Sequence, residues 1–240
     1  MNPSEEIFGA LQQHMRTNQE LRLINVYKGV PVSFGATVTQ INLEEQTAAL
    51  RVHRYQAVCI YMDQETFINS DLLPEPARAQ VVDVDVAAGT AILTGFRYAV
   101  SSIGDRALVR VQFKEPLPIS IITEKVTVRG TVDDISASGL AAVIDNITYN
   151  IFLPSPGREI RIRLILPFED EPVEIEMKGI IRHITRIANN RRYKIGIQSF
   201  PNKDTERVIS RYILQRQLEI IQDIKSLYET FKWYQQSQSQ

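Results

Sequence analysis

Arg106-Ala-Leu-Val-Arg110 and, about two dozen residues further on, Asp134-Ile-Ser136-Ala-Ser-Gly139 are the stretches from which the rest of the chain is read. Two arginines four apart beside Gly104 lie in a segment with few helix cues, which suits an arm as well as a helix. Guanidinium groups are planar forks that match phosphate oxygens bidentately and also pair with the O6/N7 edge of guanine. Two such forks on one short arm suit an anionic purine nucleotide. The second stretch follows an alternating segment, Val126-Thr-Val-Arg-Gly-Thr-Val132, and precedes an apolar one, Leu140 to Ile144, so it reads as a turn between strands. Asp134 and Ser136 can hydrogen-bond locally to shape that turn, and Gly139 permits positive φ or close backbone approach. The carboxylate has a second use: guanine presents two adjacent N–H donors on its Watson–Crick edge, and an ionised Asp is acceptor-only.

With 240 residues and a formal net charge of −1, the chain is long enough for one large or two modest cores. Its interspersed charges recommend neither nucleic acid nor membrane as a partner. The single cysteine, Cys59, lies in the apolar run Ala57 to Met62 and reads as buried packing. No run approaches the roughly twenty apolar residues that span a bilayer, and the N-terminus lacks a signal-like apolar core, so a cytoplasmic protein is expected. His14, His53 and His183 are far apart and have no metal-ligand spacing, and neither a nucleophile elbow nor a phosphate-loop signature occurs. No enzyme, metal site or cofactor is expected.

Asn2-Pro3-Ser4-Glu5 has the form of a helix start, and Ile7, Leu11 and Met15, with Phe8 and Ala10, make one apolar face for packing on a barrel. From Leu21 the period becomes two, with a Lys28-Gly29 turn. Ala36-x-Val38-x-x-Ile41 followed by Thr47-Ala-x-Leu50 recurs as Ala79-x-Val81-x-x-Val84 followed by Thr90-Ala-x-Leu93, at constant offset. Two hairpins of one pattern fit a barrel, separated by a loop at Pro74-Glu-Pro76. The block from Leu21 to about Ala99 is expected to be one β-barrel domain. Val100 to Gly104 is a short junction. Further strands are expected at Leu117–Thr123, Ile147–Leu153 and Glu159–Leu166. The basic segment Arg182 to Lys194 reads as a hairpin with a charged tip at Asn189-Asn190. A phosphate- or RNA-contacting loop is the alternative there, with Tyr193 as its one aromatic. After Pro201-Asn202, a helix of about thirty residues is predicted to run to about Trp233. On it Ile213, Ile220, Leu227 and Tyr234 recur every seven residues, Ile224 and Phe231 lie between, and Ile209, Leu218, Ile221 and Tyr228 widen the stripe, while Gln217 interrupts it. The stripe is expected to mediate homo-oligomer formation or dock a partner; the alternative is a helix folded back on its own chain.

Taken singly, R-x-x-x-R occurs in any charged protein and D-x-S-x-x-G is an ordinary turn. In this order, at this gap and between these strands, they resemble the PilZ domain, a bacterial receptor family for cyclic di-GMP whose signature is R-x-x-x-R followed by D/N-x-S-x-x-G. Arg106, Arg110, Asp134, Ser136 and Gly139 fill its five positions. Gly179 to Arg182 and Tyr193 to Phe200 look like the family's later strands. The resemblance covers roughly residues 104 to 202, and the preceding part is similar to the N-terminal barrel of two-domain, flagellar-brake-type members. The implied fold is mainly β: an N-terminal split-barrel-like domain with a leading helix (1–103), a PilZ barrel (104–202), and a C-terminal helix and tail (203–240). The implied function is a cyclic di-GMP receptor that changes interdomain orientation to regulate motility, adhesion or exopolysaccharide output through a downstream protein. An adaptor of the same fold that binds no nucleotide is the alternative. Many members carry another arginine before the first signature arginine. This chain has Asp105, which favours one ligand molecule per chain over two.

Overall fold

The computed structural model describes residues 3–99, 109–124, 126–145, 155–187 and 192–238. The chain divides into two compact units, one formed by residues 1–107 with 220–240, the other by 108–219. Each holds a closed six-stranded barrel, so the chain is mainly β with a helix at either end.

In the first unit, α1 (Pro3–Thr17) precedes β1 (Leu21–Tyr27), β2 (Val30–Asn42) and β3 (Thr47–Val52), then α2 (Arg54–Asp63), β4 (Glu65–Asn69), β5 (Ala77–Asp85) and β6 (Thr90–Tyr98). The strands close in the order β1-β2-β3-β6-β5-β4. Lys28 and Gly29 both take positive φ, 49° and 85°, making the tight turn that seats Tyr27 opposite Val30. The two echoing segments are the hairpins β2–β3 and β5–β6, joined to each other through β3 and β6. Their likeness extends below the apolar pattern. The register shifts between Val38 and Gln40 in one, and between Val81 and Asp83 in the other. Asn42 Oδ1 accepts from the Glu44 and Glu45 amides, as Asp85 Oδ1 accepts from Ala88. Gln46 (φ 52°) and Gly89 (φ 67°) hold the same left-handed position.

Two expectations for this unit are corrected. Met15 is 36% exposed, and it is His14, 5% exposed, that completes the buried face of α1, through hydrogen bonds to Ser70 Oγ (2.6 Å) and Gln19 O (3.1 Å). A satisfied imidazole can go inside where the sequence pattern places a methionine. The block 21–99 also contains the helix α2, in which Gln56 to Ile60 are buried consecutively. Five consecutive buried residues leave no apolar stripe to announce the helix. Its ends are set by His53, whose side chain accepts the Tyr55 amide, and by Gln64 at φ 56°. Cys59 is fully buried there, and burial pushes its thiol up to about 12.

The second unit contains β7 (Val111–Ile122), β8 (Thr127–Ser136), β9 (Gly139–Asp145), β10 (Glu159–Leu166), β11 (Val173–Arg186) and β12 (Arg192–Phe200), closed in the order β10-β11-β12-β9-β8-β7. β10 alternates strictly between exposed and buried, which places Ile160, Ile162, Leu164 and Leu166 in the core. β11 and β12 form the hairpin expected of the basic segment, with Arg186 opposite Tyr193. The expected strand 147–153, the junction 100–104 and the tip Asn189-Asn190 lie outside the described residues.

The last helix, α3 (Lys203–Gln238), starts at Asn202, whose Oδ1 accepts the Thr205 amide at 2.8 Å. Residues up to Glu219 belong to the second unit, and those from Ile220 to the first. Ile209, Tyr212 and Ile213 are buried, as are Ile220, Ile224 and Tyr228, while Leu214, Leu218, Ile221 and Tyr234 stay exposed. Much of the apolar stripe is therefore covered by the chain itself. No helix among the described residues is long and apolar enough to cross a membrane.

Candidate functional site at the start of the seventh strand

Arg110 directly precedes β7, and the first pairs of that strand, Val111 with Ile135 and Gln112 with Asp134, set it beside the end of β8. The two signature stretches, remote in sequence, thus meet through one strand pairing. Arg110 Nη1 donates to Asp134 Oδ1 at 3.0 Å. Ile135 points into the core and is 1% exposed, so by the period of two Asp134 and Ser136 stand on the other face of β8.

Beyond Gln112, β7 makes an excursion before pairing resumes at Leu117 with Val132. Its start, held to β8 by only two pairs, is fastened from α3 as well. Arg216 of α3, only 3% exposed, donates from Nε to Gln112 O at 2.8 Å and from Nη1 to Glu219 at 2.7 Å. A buried guanidinium with both bonds made is tolerable, and one left unpaired is not. Phe113 stacks on Tyr212 at 5.3 Å between ring centroids, and burial raises the Tyr212 phenol to about 12. The helix thus steadies the segment that carries Arg110.

The β8–β9 turn is held from within. Ser136 is 3% exposed and its Oγ donates to Gly139 O at 3.1 Å. Gly139 does not take a left-handed φ. The second reason for a glycine applies: a Cβ there would lie 2.3 Å from Ile197 O, so β9 can approach β12 only without a side chain at this point. The neighbouring Ser199 amide donates to Ser138 O at 3.0 Å across the same contact.

Around Asp134 the structure adds a residue of the basic segment. Lys194 stands on β12, and its Nζ pairs with Asp133 and lies 4.0 Å from Asp134 Oδ2. Of the five signature residues, then, Arg110 and Asp134 are in contact, Ser136 and Gly139 shape the adjoining turn, and Arg106 lies outside the described residues. Among the described residues no group of three or more His, Cys, Asp or Glu could hold a metal ion.

The fold and site define a protein of two β-barrels, the second carrying an arginine at a strand start that meets an aspartate beside a serine–glycine turn. Residues 105–215 match the PilZ domain, and the chain belongs to the PilZ domain family. A relative, an uncharacterized protein of Aquifex aeolicus (strain VF5), is 33% identical over 158 residues, which is 64% of this chain and 68% of that protein. Among solved structures, the Bacillus subtilis inhibitor of motility MotI/DgrA is similar at 17% identity and a TM-score of 0.44, covering 83% of this chain and 96% of that one. Escherichia coli YcgR in complex with c-di-GMP gives 13% and 0.45, covering 93% and 95%. The K. pneumonia MrkH–c-di-GMP complex gives 14% and 0.47, covering 92% and 96%.

Proposed function

We propose that this chain is a receptor for cyclic di-GMP that uses Arg110, Asp134, Ser136 and Gly139, together with Arg106 from its place in the signature. The observation that carries this reading is the 3.0 Å contact between Arg110 and Asp134. Two groups of opposite charge, each suited to a different part of a guanine nucleotide, occupy one point on the surface and occupy each other. Side-chain exposures of 35% and 15% leave the guanidinium more accessible than the carboxylate. Binding is an exchange of partners: Arg110 turns its fork to phosphate or to the guanine O6/N7 edge, and Asp134 accepts the guanine N1–H and N2–H. The ligand's anionic charge takes over the role that the carboxylate had for Arg110, so neither ion is left unpaired. Ser136 and Gly139 keep the turn in place while this happens. With Asp105 beside the first arginine, one ligand molecule binds per chain.

Calorimetric titration with cyclic di-GMP tests the reading. The intact chain is expected to bind with a stoichiometry of one, and Arg110→Ala to lose roughly 10- to 150-fold in affinity, as befits loss of a charge-assisted pair. No heat with the intact chain, or an unchanged affinity for the variant, would sink the proposal; a stoichiometry of two would refute the role given to Asp105. In sequence, residues 106–110 span the point where one unit of the chain gives way to the other, and ligand binding there changes the units' relative orientation. Small-angle scattering with and without saturating ligand checks this: identical profiles would reject the switch and leave binding standing. Motility, adhesion or exopolysaccharide output, through a protein partner, is the class of process such a receptor serves.

A further inference from the structure

Asp133 is the extra residue of a β-bulge. Val132 faces Ala142 and Asp134 faces Ala141, so Asp133 has no partner of its own on β9. In a regular strand, neighbouring side chains point to opposite faces, and one cation could not meet both. A bulge re-aims a side chain, and here it lets Lys194 pair with Asp133 while standing 4.0 Å from Asp134. Lys194 reaches them across β9, where Val143 is its own partner and also that of Thr131 on β8. Asp134 is thereby flanked by two cations, Arg110 at Oδ1 and Lys194 on the side of Oδ2.

From this placement we infer that Lys194 is the residue by which the site selects guanine over adenine, an inference that rests on the cyclic di-GMP reading above. Along guanine's Watson–Crick edge the O6 acceptor lies directly beside N1–H. With Arg110 on phosphate, a carboxylate that accepts N1–H and N2–H therefore needs a donor at its flank to satisfy O6. An ammonium has three donors and no acceptor. Adenine offers the reverse pattern at those atoms, an N6 amino donor and an N1 acceptor, and would set its amino group against the ammonium and its N1 lone pair against the carboxylate. A site built on such hydrogen bonds discriminates strongly, because the wrong base leaves its polar groups unmatched. Lys194 is free to take this part: its side chain is 41% exposed and that of Asp133 37% exposed, and ion pairs as open as this are weak.

The test is competition binding of cyclic di-GMP and cyclic di-AMP to the intact chain and to Lys194→Met, Lys194→Arg and Arg110→Ala. Lys194→Met is expected to weaken cyclic di-GMP at least about tenfold more than it weakens cyclic di-AMP, and Lys194→Arg to restore most of the difference. Removing a charge that merely attracts phosphate would weaken both ligands alike. Equal losses, or none, with the intact chain and Arg110→Ala behaving as proposed, overturn the role of Lys194 and leave the receptor reading in place. An intact chain that binds no cyclic di-GMP overturns both.

Discussion

Replacing Gly139 by alanine separates the structural reason for this residue from any contact with ligand. Within a strand, alanine is ordinarily better than glycine by about 0.5–1 kcal/mol. Here the new Cβ would stand 2.3 Å from Ile197 O and 3.3 Å from Gln198 Cα, and both are backbone atoms that no rotamer change can move. Ordinary contact begins near 3.4 Å, so β9 and β12 must part by about 1.1 Å at this point. Overpacking of this kind costs roughly 1–3 kcal/mol, and loosening the adjacent bond from Ser199 N to Ser138 O, 3.0 Å long, adds about 1 kcal/mol. After the propensity gain is subtracted, a loss of about 1–3.5 kcal/mol remains. Hydrogen exchange of the unliganded chain reads it, with the Ser199 amide and its neighbours on β12 as reporters of opening. Their protection should fall roughly 5- to 300-fold, at 1.4 kcal/mol per decade. Unchanged or increased protection would refute the close approach of β9 to β12. Gly9→Ala is the control, since a Cβ there meets nothing within 4 Å and lies in α1, where alanine should only stabilise.

The matched hairpins of the first unit predict that Gln46→Gly stabilises. Gln46 holds at φ 52° the position that Gly89 holds at 67°, and relief of that backbone should gain about 0.5–1 kcal/mol net of unfolded-state entropy. An unchanged or lower chemical denaturation midpoint for this unit would contradict it. A pH effect is expected at His53, whose Nδ1 accepts the Tyr55 amide at 3.3 Å and whose ring stacks on Phe34 at 3.8 Å. Burial, and then the neighbouring Arg54, lowers its pKa from the ordinary 6.5. The folded state therefore prefers the neutral ring. Its contribution is present above pH 6.5 and is lost as pH falls through the lower folded value, when a protonated Nδ1 can no longer accept. The cap is worth about 1 kcal/mol, and His53→Asn, which caps without titrating, should flatten the decline in stability between pH 7.5 and 5.5. Parallel declines in the two proteins would refute the cap as its source.

Legibility in the sequence followed the range of the interaction. The alternation of Ile160, Ile162, Leu164 and Leu166 in β10 and the Lys28-Gly29 turn are local, and both were readable. The echo between residues 36–50 and 79–93 was readable as pattern. The bulges at Thr39 and Val82 that it entails were not, because a bulge is defined only against the partner strand. The helix α2 was hidden because Gln56 to Ile60 are buried on every side, and the closing order β3-β6 and β12-β9 is a choice among distant partners that no local period encodes. On α3 the stripe announced that something would cover it. What covers Ile213, Ile220 and Ile224 depends on the rest of the chain.

The site divides in the same way. Arg110, Asp134, Ser136 and Gly139 form two short stretches, each of which carries its chemistry in neighbouring residues, so spacing alone was enough to nominate them. Lys194 stands beside Asp134 and Arg216 holds Gln112 next to Arg110, from 60 and 82 positions beyond Asp134, and nothing local in the sequence ties either of them to the signature. The one sequence clue near Arg216 was the break in the heptad at Gln217, which in the structure adjoins a buried arginine bonded to Gln112 O. Beside that interruption Arg216 holds Gln112, the last residue paired with β8 before β7 leaves it from Phe113 to Pro116. In the sequence alone the heptad is a seam with a flaw at Gln217. The flaw is where the helix stops serving a seam and holds the strand that presents Arg110.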